Sequence, residues 1–290
     1  MTPTADEPSA GRQRARYGVV GWPVSHSRSP AMHQALGLDY QLLPVPPDRA
    51  EATLRALPAS GFAGVNVTIP HKGVALAVAD TVSPAAREIG AANTLLYAPD
   101  GSIAADNTDA PGLLATLVGR PQATAVVLGA GGSARAVVWA LRSVGCEVGV
   151  WNRTAARAQE LVDELGGQAL AASAGSEMVD AADILVNCTA LELDRSSSGI
   201  DGLPVSVDHL ARYATVVDLA YKPGGTVLTA EAAKRTFVVD GLEILVQQGA
   251  RSFELWTGRP ADVAAMRTAV KNTAEDHGAA YDPPGGKPVP

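Results

Sequence analysis

Short β-branched runs alternate with segments of helical spacing through most of the chain. A run over 17–20 predicts a strand, and Ser29-Pro30 predicts a helix start, with Ser29 as N-cap and Pro30 at the first helical position. Strands over 40–45 and 65–69 flank a helix over 49–57; this is βαβ spacing and predicts a parallel sheet. From Thr124 the alternation restarts with a strand, a glycine loop, a helix over 133–144 and a strand ending at Trp151. A helix over 155–165 follows, then strands over 184–187, 216–219 and 237–239. After Gly241 the strands stop. Leu242, Leu245, Val246, Gly249, Ala250 and Phe253 then fall on one helical face, with Gln248 off that stripe, and a second helix follows Pro260. With no strand left to complete, these last helices are expected to return and cover the first sheet.

The expected architecture is therefore α/β: two α/β domains with a cleft between them. The first comprises residues 16–110 plus 242–276, and the second, of Rossmann type, residues 111–241. The segments 1–15 and 277–290, the latter ending DPPGGKPVP, are expected to be disordered. A length of 290 residues agrees with two domains of roughly 150 residues each. Because 47% of residues are apolar but only 4% aromatic, the cores must be built from Ala, Val and Leu. A net charge of −7 without any Lys/Arg block argues against a nucleic-acid or anionic membrane partner, so an anionic ligand must be caught locally. Cys146 and Cys188 lie in apolar runs and read as small buried hydrophobes, with no disulfide or metal site. With no secretory pattern at the start and no apolar run of roughly 18 residues, a soluble cytoplasmic protein is expected.

Gly129-x-Gly131-x-x-Ala134 follows a strand and opens a helix. Gly129 permits the tight turn, Gly131 lets backbone approach a pyrophosphate, and Ala134 allows close helix packing, while the helix N-terminus offers free N–H groups to phosphate. The next strand ends in Asn152-Arg153-Thr154, with Arg157 one turn on and no Asp or Glu where a ribose-binding carboxylate belongs. An arginine there pairs with a 2′-phosphate and stacks on adenine, which favours NADP over NAD.

Polar residues cluster in loops after the first-domain strands: Ser27 and Ser29 in GWPVSHSRSPAMH, Asn66, Thr68 and Lys72 in NVTIPHK, Asn93 in GAANTL, and Asn107 and Asp109 in ADNTDAPG, where a helix begins near Ala110. Together with GAGGSARA, NRT, VVDLAYKP and DGLEILVQQGA, in this order over nearly all of 17–258, the chain resembles shikimate dehydrogenase, which reduces 3-dehydroshikimate with NADPH in aromatic amino-acid biosynthesis. The resemblance implies an N-terminal substrate-binding domain and an NADP-binding Rossmann domain, in a monomer or homodimer. It implies that Ser27, Ser29 and Tyr221 bind the substrate carboxylate, and that Thr68, Asn93, Asp109 and Gln248 bind ring hydroxyls. Lys72 becomes the catalytic acid and base, paired with Asp109. Gly129, Ala130, Gly131, Gly132, Ser133, Ala134 and Arg135, then Asn152, Arg153, Thr154 and Arg157, with Thr189 and Gly241, become the cofactor contacts.

Physical chemistry agrees with the lysine's role: hydride transfer to a ketone builds negative charge on oxygen, which an ammonium stabilises and protonates. Two features depart from the family. After Thr189 the chain reads ALELDRSSSGID, without the family's usual glycine turn, and Ala110 stands where glycine commonly follows the Asp of DNTD; alanine is harmless there only if its φ is negative. Two other readings stay open: a paralogue preferring quinate or an aminated shikimate, and a noncatalytic NADP-binding regulator.

Overall fold

The computed structural model describes residues 15–119, 123–170, 179, 181–189, 191, 200, 202–222 and 224–276. Of the segments expected to be disordered, residues 1–14 of 1–15 and all of 277–290 lie outside the described residues, as does most of the atypical stretch after Thr189.

Two sheets organise the chain, as the alternation predicts, but each has six strands among the described residues where the sequence reads three in the first and five in the second. The first contains β1 (Arg16–Gly21), β2 (Asp39–Pro44), β3 (Phe62–Val67), β4 (Thr81–Val82), β5 (Thr94–Tyr97) and β6 (Ile103–Asp106), in the spatial order β2-β1-β3-β5-β6-β4. The second contains β7 (Thr124–Leu128), β8 (Glu147–Trp151), β9 (Gln168–Ala169), β10 (Ile184–Asn187), β11 (Thr215–Asp218) and β12 (Phe237–Val239), in the order β12-β11-β10-β7-β8-β9. Every pairing in the second sheet is parallel. Its central strands are buried continuous runs, as a sheet covered on both faces requires. The first sheet corrects the expectation of an all-parallel arrangement, because β5 runs antiparallel to both β3 and β6. The hairpin's loop, Ala98–Ser102, is closed by an N–H···O bond from Ala98 to Ser102 and by Asp100, which accepts from the Ser102 amide.

The helices placed by these sheets are α1 (Ser29–Ala35), α2 (Ala50–Ala56), α3 (Lys72–Ala77), α4 (Pro84–Ile89), α5 (Asp109–Thr116), α6 (Gly132–Ser143) and α7 (Ala155–Leu165). Two corrections follow at their starts. Ser29 is not the cap of α1: Arg28 takes that position without a side-chain bond, and Ser29 is the first helical residue, which releases its hydroxyl. Asp109 likewise follows the capping residue Thr108. Ala110, as the next residue of α5, is helical and fully buried, so its backbone accepts a side chain there without strain.

The helices Gly241–Thr257 and Val263–Asp276 return to the first sheet as expected. Met32 of α1, Val246, Ala250, Met266 and Val270 form one buried cluster, and Trp256 donates its indole N–H to Leu95 of β5. The first of these helices is wedged between α1 and α5, which buries Gln248 and Ser252 along with Ile244, Val246 and Phe253. Burial on several sides corrects the single stripe expected from sequence. A second cluster joins the two units: Ile89 and Ala91, with Ala110, Leu113 and Leu117 of and beside α5, pack together with Ala134, Val137, Val138 and Leu141 of α6.

His33 of α1 is fully buried, stacked on Tyr40 at 4.4 Å between centroids, and neither ring nitrogen has a hydrogen bond of normal geometry. Burial lowers its pKa to about 3, with the nearby Asn66 opposing in part. The folded state therefore holds His33 neutral while the unfolded chain takes up a proton near pH 6.5, so its contribution is intact above that pH and is lost as pH falls toward 3. Between pH 7 and pH 5 the wild type should lose about 2 kcal/mol more unfolding free energy than His33→Phe, measured by urea titration. Parallel losses in the two proteins would show that His33 is protonated in the fold.

Candidate active site

Strand direction gathers the polar residues. In the first sheet the segments after β1, β3 and β6 emerge at one edge, and the antiparallel β5 brings the residue before it, Asn93, to that same edge. The segments after β7, β11 and β12 meet them from the second sheet. Between the two sets lies a cavity of about 150 Å³, lined by Ser27, Ser29, Thr68, Lys72, Asn93, Asp109, Tyr221 and Gln248 together with Asn66, Ser133 and Gly241. Every residue assigned to substrate or catalysis from sequence therefore faces one space. A larger cleft, about 400 Å³, opens beside Phe237 and the Glu243–Arg267 ion pair, away from all of them. Chemistry and not volume distinguishes the two.

At one end of the cavity the Ser27 hydroxyl donates to Ser29 Oγ at 3.1 Å. Tyr221 meets the Ser27 side chain and the Arg28 backbone, and burial raises its phenol's pKa. Asp218 builds the loop that carries Tyr221 by accepting from the Ala220 amide and the Thr226 hydroxyl. Arg28 is only 8% exposed, and its buried Nη1 has no partner among the described residues. Arg28 is not among the residues lining the cavity, so its charge stands behind the three hydroxyls.

At the other end Lys72 Nζ donates to Asp109 Oδ2 at 2.6 Å, with side-chain exposures of 10% and 15%. Asn93 Nδ2 donates to Asp109 Oδ1 at 2.8 Å, so the carboxylate is held on both oxygens, and Asn107 Oδ1 accepts from the backbone amides of Asp109 and Ala110. Asn93 in turn accepts from the Thr108 amide at 2.7 Å and faces Gln248 Oε1 at 3.3 Å. Behind it, Asn66 donates to Ser252 Oγ at 2.8 Å and accepts from the Tyr40 hydroxyl at 2.8 Å. Thr68 lines the cavity with no side-chain partner among the described residues.

The sequence reading assigned no role to Ser252, Thr94 and Thr108, which buttress Asn93 and Gln248. Ser252 was detectable as the residue one helical turn beyond Gln248, on the same face. Thr94 and Thr108 owe their place to strand pairing, which the sequence does not print.

On the second sheet Gly129 has φ +109°, and a Cβ there would lie 3.3 Å from the Cys188 carbonyl, so the turn and the close approach both require glycine. Helix α6 starts at Gly132 without a side-chain cap, leaving the amides after Gly131 open to an anion, while Ala134 is buried. Asn152 closes the next turn by donating to the Thr154 carbonyl, and Arg153 and Arg157 stand exposed with no side-chain partner among the described residues. A helix N-terminus and two unpaired guanidinium groups fit a dinucleotide carrying a 2′-phosphate. The Thr189 hydroxyl is turned to Asn187 Oδ1 at 2.7 Å. Gly241 lies at the cavity wall, where a Cβ would come within 2.6 Å of the Ala220 carbonyl; packing alone accounts for this glycine.

Three family models match the chain: the shikimate dehydrogenase substrate binding domain over residues 19–95, shikimate / quinate 5-dehydrogenase over 115–199, and the shikimate 5′-dehydrogenase C-terminal domain over 241–271. The NADP(+)-dependent shikimate dehydrogenase of Paracoccus denitrificans is 43% identical over 273 residues, covering 87% of this chain and 94% of its own. Among solved structures, the Thermus thermophilus shikimate 5-dehydrogenase in complex with NADP(H) and shikimate is 42% identical, with a TM-score of 0.79 over 89% of this chain and 99% of that one. A 5-ketofructose reductase of Gluconobacter is more distant at 29% identity, with a TM-score of 0.77 over 91% of this chain and 100% of that one. A shared architecture, near-complete coverage and identities above two in five lead to one conclusion: the chain belongs to the shikimate dehydrogenase family.

Proposed function

We propose that the protein catalyses the reversible NADPH-dependent reduction of 3-dehydroshikimate to shikimate, a step toward chorismate and the aromatic amino acids. The observation that carries this reading is the buried Lys72–Asp109 pair at 2.6 Å, in a cavity ringed by hydroxyl and amide groups and bordered by the dinucleotide loop. Ser27, Ser29 and Tyr221 would receive the substrate carboxylate, with Arg28 supplying opposite charge behind them. Thr68, Asn93, Asp109 and Gln248 offer donors and acceptors for the ring hydroxyls.

NADPH supplies the hydride. As the carbonyl carbon accepts it, the carbonyl oxygen gains electron density and takes a proton from the Lys72 ammonium; the neutral amine then recovers a proton from solvent. In the reverse direction the neutral amine removes the alcohol proton. Asp109 keeps the lysine in place, and the loop Gly129–Arg135 with Asn152, Arg153, Thr154 and Arg157 holds the dinucleotide. Thr189 and Gly241 border the same region. The assigned units are residues 16–110 plus 242–276 for substrate and 111–241 for cofactor. No helix among the described residues is long and apolar enough to cross a membrane; the proposed setting is the cytoplasm and the proposed state a monomer or homodimer.

Assay of NADPH and NADH against 3-dehydroshikimate, and of the oxidised cofactors against shikimate and quinate, tests the reading directly. Turnover should be fastest with NADPH and 3-dehydroshikimate, and faster quinate oxidation would overturn the substrate assignment. Lys72→Ala should lower kcat by about 100- to 10,000-fold with little change in KM; an unchanged kcat would remove Lys72 from proton transfer. Arg153→Ala should raise KM for NADPH by about tenfold or more and leave that for NADH nearly unaltered, because a charge-assisted contact to the 2′-phosphate is lost. Equal effects on both cofactors would place the arginine elsewhere.

A further inference from the structure

The Lys72 ammonium makes a second contact besides the carboxylate. Its Nζ donates to the hydroxyl of Ser133 at 2.8 Å, and Ser133 belongs not to the substrate unit but to the first turn of α6, in the dinucleotide loop. An ammonium has three donors. Asp109 Oδ2 takes one and Ser133 Oγ another, which leaves one N–H for the cavity that Lys72 lines. The neighbouring residue adds an independent constraint: a Cβ at Gly132 would lie 3.2 Å from Lys72 Cδ and 3.3 Å from its Cβ, so the loop backbone is packed along the lysine stem. The loop's position is itself fixed from the first unit, since Arg135 Nε donates to the Ile89 carbonyl at 2.5 Å and Trp139 Nε1 to Glu88 at 2.8 Å.

We infer that Ser133 is a positioning residue for the proposed proton donor, so that the loop offered to the cofactor pyrophosphate also sets where the Lys72 ammonium points. This rests on the dehydrogenase reading for its kinetic consequence, but not for the contact itself. With one point of attachment, an ammonium on a four-carbon stem swings about the carboxylate; with two, its remaining donor has a single direction. The hydroxyl of Ser133 accepts from the lysine while the loop offers its backbone amides to the pyrophosphate, so the two roles of the loop do not compete for one atom.

The test compares Ser133→Ala, Ser133→Thr and wild type. In cofactor-free protein labelled with 15N-lysine, the Lys72 ammonium, assigned by its loss in Lys72→Met, should give a slowly exchanging signal in wild type. In Ser133→Ala that signal should broaden or vanish through faster exchange with water, and Ser133→Thr should retain it. In steady state Ser133→Ala should lower kcat by about tenfold. The KM for 3-dehydroshikimate and the NADPH dissociation constant, from protein-to-nicotinamide energy transfer, should stay within about threefold, and Ser133→Thr should recover most of kcat. An ammonium signal unchanged in Ser133→Ala would overturn the proposal. So would a defect confined to NADPH binding, which would make Ser133 a cofactor contact only. If the wild type fails to turn over 3-dehydroshikimate, the dehydrogenase reading falls, and the ammonium signal still decides the role of Ser133.

Discussion

A lysine and an aspartate held 2.6 Å apart with little access to water are costly to bury, and the surrounding structure is arranged to sustain the pair. Removing two charges from water carries a desolvation penalty that their attraction alone often fails to offset, so a buried pair is weak evidence for stability and stronger evidence for function. Here most of the remaining acceptor and donor capacity is used, and one N–H of the ammonium is left to the cavity. Asn93 binds the second carboxylate oxygen, Asn107 ties down the backbone of the aspartate, and Ser133 accepts from the ammonium. Each of these partners comes from a different segment, and Asn93 and Asn107 are held by further bonds to Thr108 and Ala91.

This dependence explains why the two sheets are joined unequally. Behind the ion pair the junction is apolar and continuous: α5, which begins with Asp109, shares a buried cluster with α6, which carries Ser133. Around the carboxylate end, contact between the units runs through hydroxyls, Tyr221 to Ser27, beside the buried Arg28. The ion-pair end is thus set by packing, which resists displacement, whereas the serine–tyrosine end is closed by polar contacts.

Most of the second sheet was legible in the sequence because its central strands are short apolar runs, whereas the two-residue β9, Gln168–Ala169, was not read. The helix over 155–165 and the strands over 184–187 and 237–239 fall at the bounds the periodicity predicts. The first sheet was less legible. Strands β5 and β6 are four residues each, too short to show alternation, and β5 is the strand that reverses direction. Ser29 reads as a cap because serine before proline usually is one, yet Arg28 takes that place and the serine hydroxyl turns to Ser27. Gln248 reads as a residue reaching out of its helix. It is buried because Asn93 and Thr108, more than a hundred residues earlier, supply its partners, and no local pattern records a bond of that span. The motif residues nonetheless converge on one cavity, since loops at strand ends carry chemistry that folding alone does not demand.

If Lys72 and Asp109 act as one unit, their effects on the reaction cannot be independent. A double-mutant cycle of Lys72→Met and Asp109→Asn, read on kcat for 3-dehydroshikimate reduction with folding checked by thermal denaturation, measures this directly. Once the ammonium is gone, removing the carboxylate's charge should cost less than about threefold more. Losses that multiply across the cycle would show that the two residues serve separate steps and would contradict the account of a single buried pair.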